Sequence, residues 1–158
     1  MKKIFSAAIA IVALCFIITS CAPPKNAISD SVPRDNFIGV WKLNTVTYDG
    51  LMPAAIQDVF NQAPPQDFVG STWQFTNSGN GTYSLLNGPS QNIFWSIYYR
   101  DPRGTLFQFK KLYVGDKAQN VKLGYKLIIA SNDGTDMVLK SPIAIGNKTG
   151  YIVYSFSK

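Results

Sequence analysis

The chain has no histidine and no glutamate: its nine acidic residues are all aspartate, and only two cysteines occur in 158 residues. Without an imidazole, neither a Ser-His-Asp nor a Cys-His catalytic site can be built, and a His/Cys zinc site is excluded as well. A paired-carboxylate hydrolase would have to use aspartates alone. Asp49, Asp101, Asp116 and Asp133 each stand beside Gly or Pro, where Asp is the ordinary turn former. The charge surplus is small: fifteen basic residues against nine acidic, net +6. After residue 20 the only adjacent basic pair is Lys110–Lys111. A nucleic-acid footprint would be a dense basic stripe, which is missing. No cofactor and no metal is implied.

What is present begins with an address. The opening "MKKIFSAAIAIVALCFIITSC" has a basic start at Lys2 and Lys3, an apolar run from Ile4 to Ile18 broken only by Ser6, and then small residues. That is the layout of a secretory signal peptide, residues 1–20. The run is short for a membrane span, which needs about 20 apolar residues. The residues Ile18-Thr19-Ser20-Cys21 resemble the lipobox of bacterial lipoproteins. That resemblance implies cleavage before Cys21, a diacylglycerol on its thiol and an acyl chain such as palmitate on its amine. Two or more acyl chains, at about 0.8 kcal/mol per buried CH₂, hold a protein at a membrane durably. Ala22, where an inner-membrane retention signal would place Asp, implies the outer membrane of a Gram-negative cell envelope, lipid-anchored on a face left open. An ordinary thiol at Cys21, or an uncleaved anchor, are the alternatives. With Cys15 lost and Cys21 lipidated, no disulfide is possible.

Residues 21–36 are Pro-rich and polar and read as a tether. From Phe37 the texture changes to period-two runs rich in β-branched and aromatic residues, separated by Gly, Asn, Asp and Pro clusters. Eight such runs predict strands over 37–49, 71–77, 81–87, 92–100, 105–114, 125–131, 135–141 and 150–157. Asn132-Asp133-Gly134 is a strong hairpin signal. Between the first two runs, Ile56, Val59 and Phe60 at helical spacing, with Pro53 before and Pro64-Pro65 after, predict one short helix. The expected architecture of residues 37–158 is all-β: an eight-stranded antiparallel up-and-down barrel, with a two-sheet sandwich as the rival. Eight strands enclose a space either just filled by side chains or roomy enough for one small ligand.

The first strand opens "GVWKL", Gly39 to Leu43, and resembles the Gly-x-Trp of the first lipocalin strand. Thr135-Asp136 falls where lipocalins carry Thr-Asp-Tyr, with Met137 in place of the tyrosine. The lipocalin arginine that stacks on the Trp has no counterpart after the eighth strand, nor does the helix that follows the barrel. The domain therefore resembles the small lipocalin-like lipoproteins of Gram-negative bacteria. The resemblance implies structural roles for Gly39 and Trp41, with Trp41 plugging one end.

Alternation assigns Trp73, Phe75, Tyr83, Trp95, Tyr99 and Phe107 to the interior, as the lining of a cup for a small apolar or amphipathic ligand. The other reading is that these rings fill the barrel. In that case the protein is a non-catalytic structural lipoprotein that docks another envelope protein through outward Phe94, Tyr98 and Val138. Catalysis is not expected. Lys110 or Lys111 beside Tyr113 is the one conceivable base pair, and exposed strand lysines that discourage edge pairing account for both.

Overall fold

A computed structural model describes residues 32–158 apart from Asn87. The signal segment, Cys21 and the tether as far as residue 31 lie outside the described residues, and the end of the expected tether, from Arg34, is folded into a 3₁₀ turn with Phe37. Eight strands run in chain order around a closed ring: β1 Gly39–Asp49, β2 Thr72–Phe75, β3 Asn80–Ser84, β4 Ser90–Asp101, β5 Gly104–Leu112, β6 Tyr125–Asn132, β7 Asp136–Ile145 and β8 Lys148–Ser157. Every neighbour pair is antiparallel, and β1 closes the ring on β8 through Lys42–Ser157 to Asp49–Tyr151. This is the closed up-and-down barrel, not a sandwich. No barrel strand is left without two neighbours, so residues 32–158 carry a complete core of their own.

The alternation that built the strands also fills them. Inward positions hold Trp41, Leu43 and Val46 on β1, Trp73 and Phe75 on β2, Tyr83 on β3, and Ile93 and Trp95 on β4. The remaining strands add Phe107, Phe109, Leu127, Ile129, Met137, Leu139, Ile152, Tyr154 and Phe156. Burial of a large apolar side chain contributes about 1.5–3 kcal/mol, so these rings dominate the stability of the domain. The predicted β6–β7 hairpin is present. Asp133 Oδ1 accepts the backbone N–H groups of Thr135 and Asp136 and the Thr135 hydroxyl, each at 2.8 Å.

Two sequence expectations are corrected. β7 runs on past the expected end at Ser141, through Pro142 to Ile145. Pairing with β6 has already stopped at Lys140, and beyond it only β8 continues, with Pro142 opposite Tyr151. A proline that lacks an N–H is tolerated where one side of its strand is free. The predicted helix between β1 and β2 is not formed. The connection holds two short 3₁₀ turns instead, Pro53–Ala55 and Pro65–Phe68, each started by a proline. Between them Val59 and Ala63 pair across a tight reversal, so Val59 and Phe60 are not on one helix face.

Candidate functional site

The barrel interior contains two layers of aromatic rings. The lower layer is Phe37, Phe75, Trp95 and Phe107. Phe37 lies 6.0 Å from Trp95 and 5.8 Å from Phe107, and Phe75 lies 5.4 and 5.2 Å from the same two rings. Phe37 comes from a 3₁₀ turn, Arg34–Phe37, that closes this end. Trp41 Nε1 donates to the Phe37 carbonyl at 2.7 Å. Two cations cover the indoles: the Arg34 guanidinium stands 4.1 Å from the Trp95 ring centre, and Lys158 Nζ 4.6 Å from that of Trp41. The residue after β8 thus supplies a cation to the Trp of Gly-x-Trp, as an ammonium rather than the arginine the resemblance led us to look for. Gly39 has φ +125°, and a Cβ there would come within 3.3 Å of the Lys158 stem. Glycine meets both demands.

The upper layer is Phe68, Trp73, Tyr83, Phe109, Tyr125 and Tyr154, and its centre is a ring that no strand supplies. Phe60, at the tip of the Val59–Ala63 reversal, lies 5.3 Å from Phe68, 5.1 Å from Phe109, 5.4 Å from Tyr125 and 5.7 Å from Tyr154. Trp73 stacks on Tyr83 at 4.4 Å beside it. The turn is tight: Gln62 N–H donates to the Val59 carbonyl at 3.1 Å, with φ 55° at Phe60 and 50° at Asn61. Positive φ at both central residues is the type I′ pattern, which Asn accepts and a bulky aromatic residue resists.

Lys111 holds this turn from below. It continues the inward parity of Phe107 and Phe109 on β5, and its side chain is buried, with the residue 8% exposed. Its Nζ donates to the Asn61 carbonyl at 3.3 Å and to Gln62 Oε1 at 3.4 Å. Gln62 Oε1 also accepts the Tyr83 hydroxyl. Among the described residues no carboxylate stands within 4.0 Å of the Lys111 ammonium. Burial pushes the Lys111 pKa down and those of Tyr83, Tyr125 and Tyr154 up. The hydroxyls of Tyr125 and Tyr154 are buried and have no hydrogen-bond partner. This corrects the sequence reading of Lys111 as an exposed strand lysine. The same period of two that places Phe107 and Phe109 inside continues to Lys111 and was the signal for it.

Of the six residues read as cup lining, the structure brings Trp73, Phe75, Tyr83, Trp95 and Phe107 together in the interior. Tyr99 is not among them: it is 50% exposed, and its hydroxyl reaches only the Val32 carbonyl at 3.4 Å. The β4–β5 register shifts between Tyr98 and Asp101, so alternation carried past Tyr98 no longer names the inner face. The outward residues Phe94, Tyr98 and Val138 do not make one patch either. β4 and β7 are separated around the ring by β5 and β6.

No family model matches the chain, and no curated protein matches it. Among solved structures, apocrustacyanin C2 is similar at a TM-score of 0.41 and 14% identity, over 79% of this chain. The matched part spans 62% of that protein's length.

A larger cavity, about 490 Å³, lies on the outer wall between β4, β5 and the segment leading into β6. Phe94, Ser96, Gln108, Lys110, Lys122 and Lys126 are among the residues that line it. It is separate from the aromatic layers of the interior, although Phe109 and Tyr125 border both.

Proposed function

We propose that the chain is a non-catalytic binding protein, held at an envelope membrane by acyl chains on Cys21, whose barrel takes up a small apolar or amphipathic molecule in the space that Phe60 occupies. The observation that carries this reading is Phe60 itself. The strands build an aromatic ring of walls, and a loop residue in an unfavourable backbone conformation completes it. A plug held at a cost in backbone energy is easier to exchange for a guest than a strand residue is. The lipobox resemblance at Ile18–Cys21 supports the anchoring, and the Pro-rich polar stretch ahead of the Arg34–Phe37 turn supports a domain standing off the bilayer.

Titration of residues 32–158 with 1-aminoanthracene, a neutral aromatic probe, tests the binding. Saturable uptake with energy transfer from Trp73 is expected, and a Phe60→Gly variant is expected to bind it tighter. No binding by either protein overturns the reading. Metabolic labelling with an alkynyl fatty acid tests the anchor: label retained by a Cys21→Ala chain refutes lipidation there.

The packed interior favours a second reading, a solid barrel that docks another envelope protein. Its outer-wall cavity, with three lysines and no carboxylate among the lining residues, suits an acidic partner surface. Cross-linking in cells, followed by loss of the adduct in a Lys122→Glu/Lys126→Glu chain, is the result that reading requires.

A further inference from the structure

The polar groups around Phe60 say more about a guest than that it is apolar. Lys111 is a buried cation whose two acceptors, the Asn61 carbonyl and Gln62 Oε1, are both neutral and both belong to the turn that carries the plug. An ammonium taken out of water without a counter-charge is unfavourable. Whatever lifts Phe60 out of the barrel also takes both acceptors off Lys111. A neutral guest would leave that nitrogen unpaired in the interior. The Tyr125 and Tyr154 hydroxyls are also donors with nothing to donate to, and their rings flank the Phe60 ring at 5.4 and 5.7 Å. Three donors therefore surround one apolar space, and the described residues place no acid there.

A second observation gives the head group somewhere to stand. A recess of about 90 Å³ is lined by Lys111, Tyr113, Asp116, Val121, Leu123 and Tyr125. At about 30 Å³ for each water, it has room for a few waters or one carboxylate. Asp116, the one acid on its wall, is exposed to solvent, and its Oδ2 accepts the Tyr113 backbone N–H at 2.9 Å.

We infer that the natural guest is an amphipathic acid, with its apolar body in the ring space of Phe60 and its carboxylate on the Lys111 ammonium, within reach of the Tyr125 hydroxyl. This rests on the binding reading above and adds the charge of the ligand to it. Lys111 would exchange two neutral acceptors for an ionic one. Charge-assisted hydrogen bonds are about twice as strong as neutral ones, so discrimination of about tenfold or more between an acid and its ester is expected.

The test compares cis-parinaric acid with its methyl ester on residues 32–158, read by the fluorescence of the polyene at submicellar concentration. The wild-type protein is expected to bind the acid about tenfold or more tighter than the ester. Lys111→Met is expected to abolish the preference, so that acid and ester bind alike, and Lys111→Arg to keep it. Phe60→Gly should tighten both. Equal binding of acid and ester by the wild-type protein overturns this inference and leaves the binding reading standing. So does a preference that survives in Lys111→Met. If neither compound binds even the Phe60→Gly protein, the binding reading falls and this inference falls with it. The wild-type comparison is decisive alone, should the Lys111→Met chain fail to fold.

Discussion

Replacing Phe60 by glycine and by alanine separates the strain of the plug from its packing. Both changes delete the same ring, and losing a buried Phe typically costs about 3–5 kcal/mol. The two products differ only in a Cβ at φ 55°. A left-handed residue with a Cβ costs about 1–2 kcal/mol. Glycine avoids this but loses about 0.5–1 kcal/mol to the greater freedom of its unfolded chain. The glycine variant should therefore be the more stable of the two by about 0.5–1 kcal/mol, whereas in an ordinary strand or helix the order is reversed. With a urea slope of about 1.5 kcal/mol/M, the midpoints should differ by about 0.3–0.7 M. Equilibrium urea unfolding of residues 32–158, followed by tryptophan fluorescence, measures the difference directly. An alanine variant as stable as the glycine one, or more so, would show that the turn relaxes to negative φ once the ring is gone. The plug would then store no strain, and easy exchange with a guest would lose its energetic basis.

Lys111→Met should remove part of the pH dependence of stability. Because the folded-state pKa of Lys111 is depressed by burial, the unfolded chain binds the extra proton, so wild-type stability should rise as pH climbs towards about 10, and the methionine variant should lack that rise in urea melts between about pH 7 and 9.5. Above about pH 10 the raised pKa values of Tyr83, Tyr125 and Tyr154 act in the opposite sense, since the unfolded tyrosines ionise first, and both proteins should lose stability there. Asp133, whose carboxyl is held down to about 2 by the N–H groups of Asp136 and Thr135, contributes stability that is present above about pH 4 and lost as pH falls towards 2; acid titration by circular dichroism should show a shallower loss for Asp133→Asn. Lys158→Ala should destabilise by about 0.5–1 kcal/mol through the lost ammonium on Trp41, and Lys158→Arg should restore most of it in thermal melts; an alanine variant indistinguishable from wild type would show that the stacking contributes nothing.

The barrel was legible because its signal is redundant. Several strands alternate ring or branched aliphatic with polar residue, and turn formers separate the strands, so an error in one does not move the others. The strands begin and end within a few residues of the expected positions. The exceptions are β7, which runs past its expected end at Ser141, and the ends of β2 and β3, where pairing stops short of the alternation. Five of the six expected interior aromatics follow from the same period. Tyr99 fails because a register shift is a property of two paired strands and leaves no mark on either one. The segment 53–68 was misread for a related reason: its apolar residues face a barrel mouth that exists only after eight strands have closed. The spacing of Ile56, Val59 and Phe60 then fits a helix by accident.

The two residues that matter most for a ligand, Phe60 and Lys111, share one property: each breaks the local rule for its position. A phenylalanine stands where the turn asks for Asn or Gly, and a lysine stands where the strand asks for an apolar residue. Each choice carries a local cost. Glycine at 60 would relax the backbone, and methionine at 111 would remove a buried charge at nearly the same volume. The two departures are also in contact, since the acceptors of Lys111 are the turn that carries Phe60. Unrelated imperfections would be scattered over the barrel. Here they meet at one end, beside two tyrosine hydroxyls without partners. Local conflict with the fold, concentrated at one place, is what a site retained for binding leaves in a structure otherwise consistent from sequence to core.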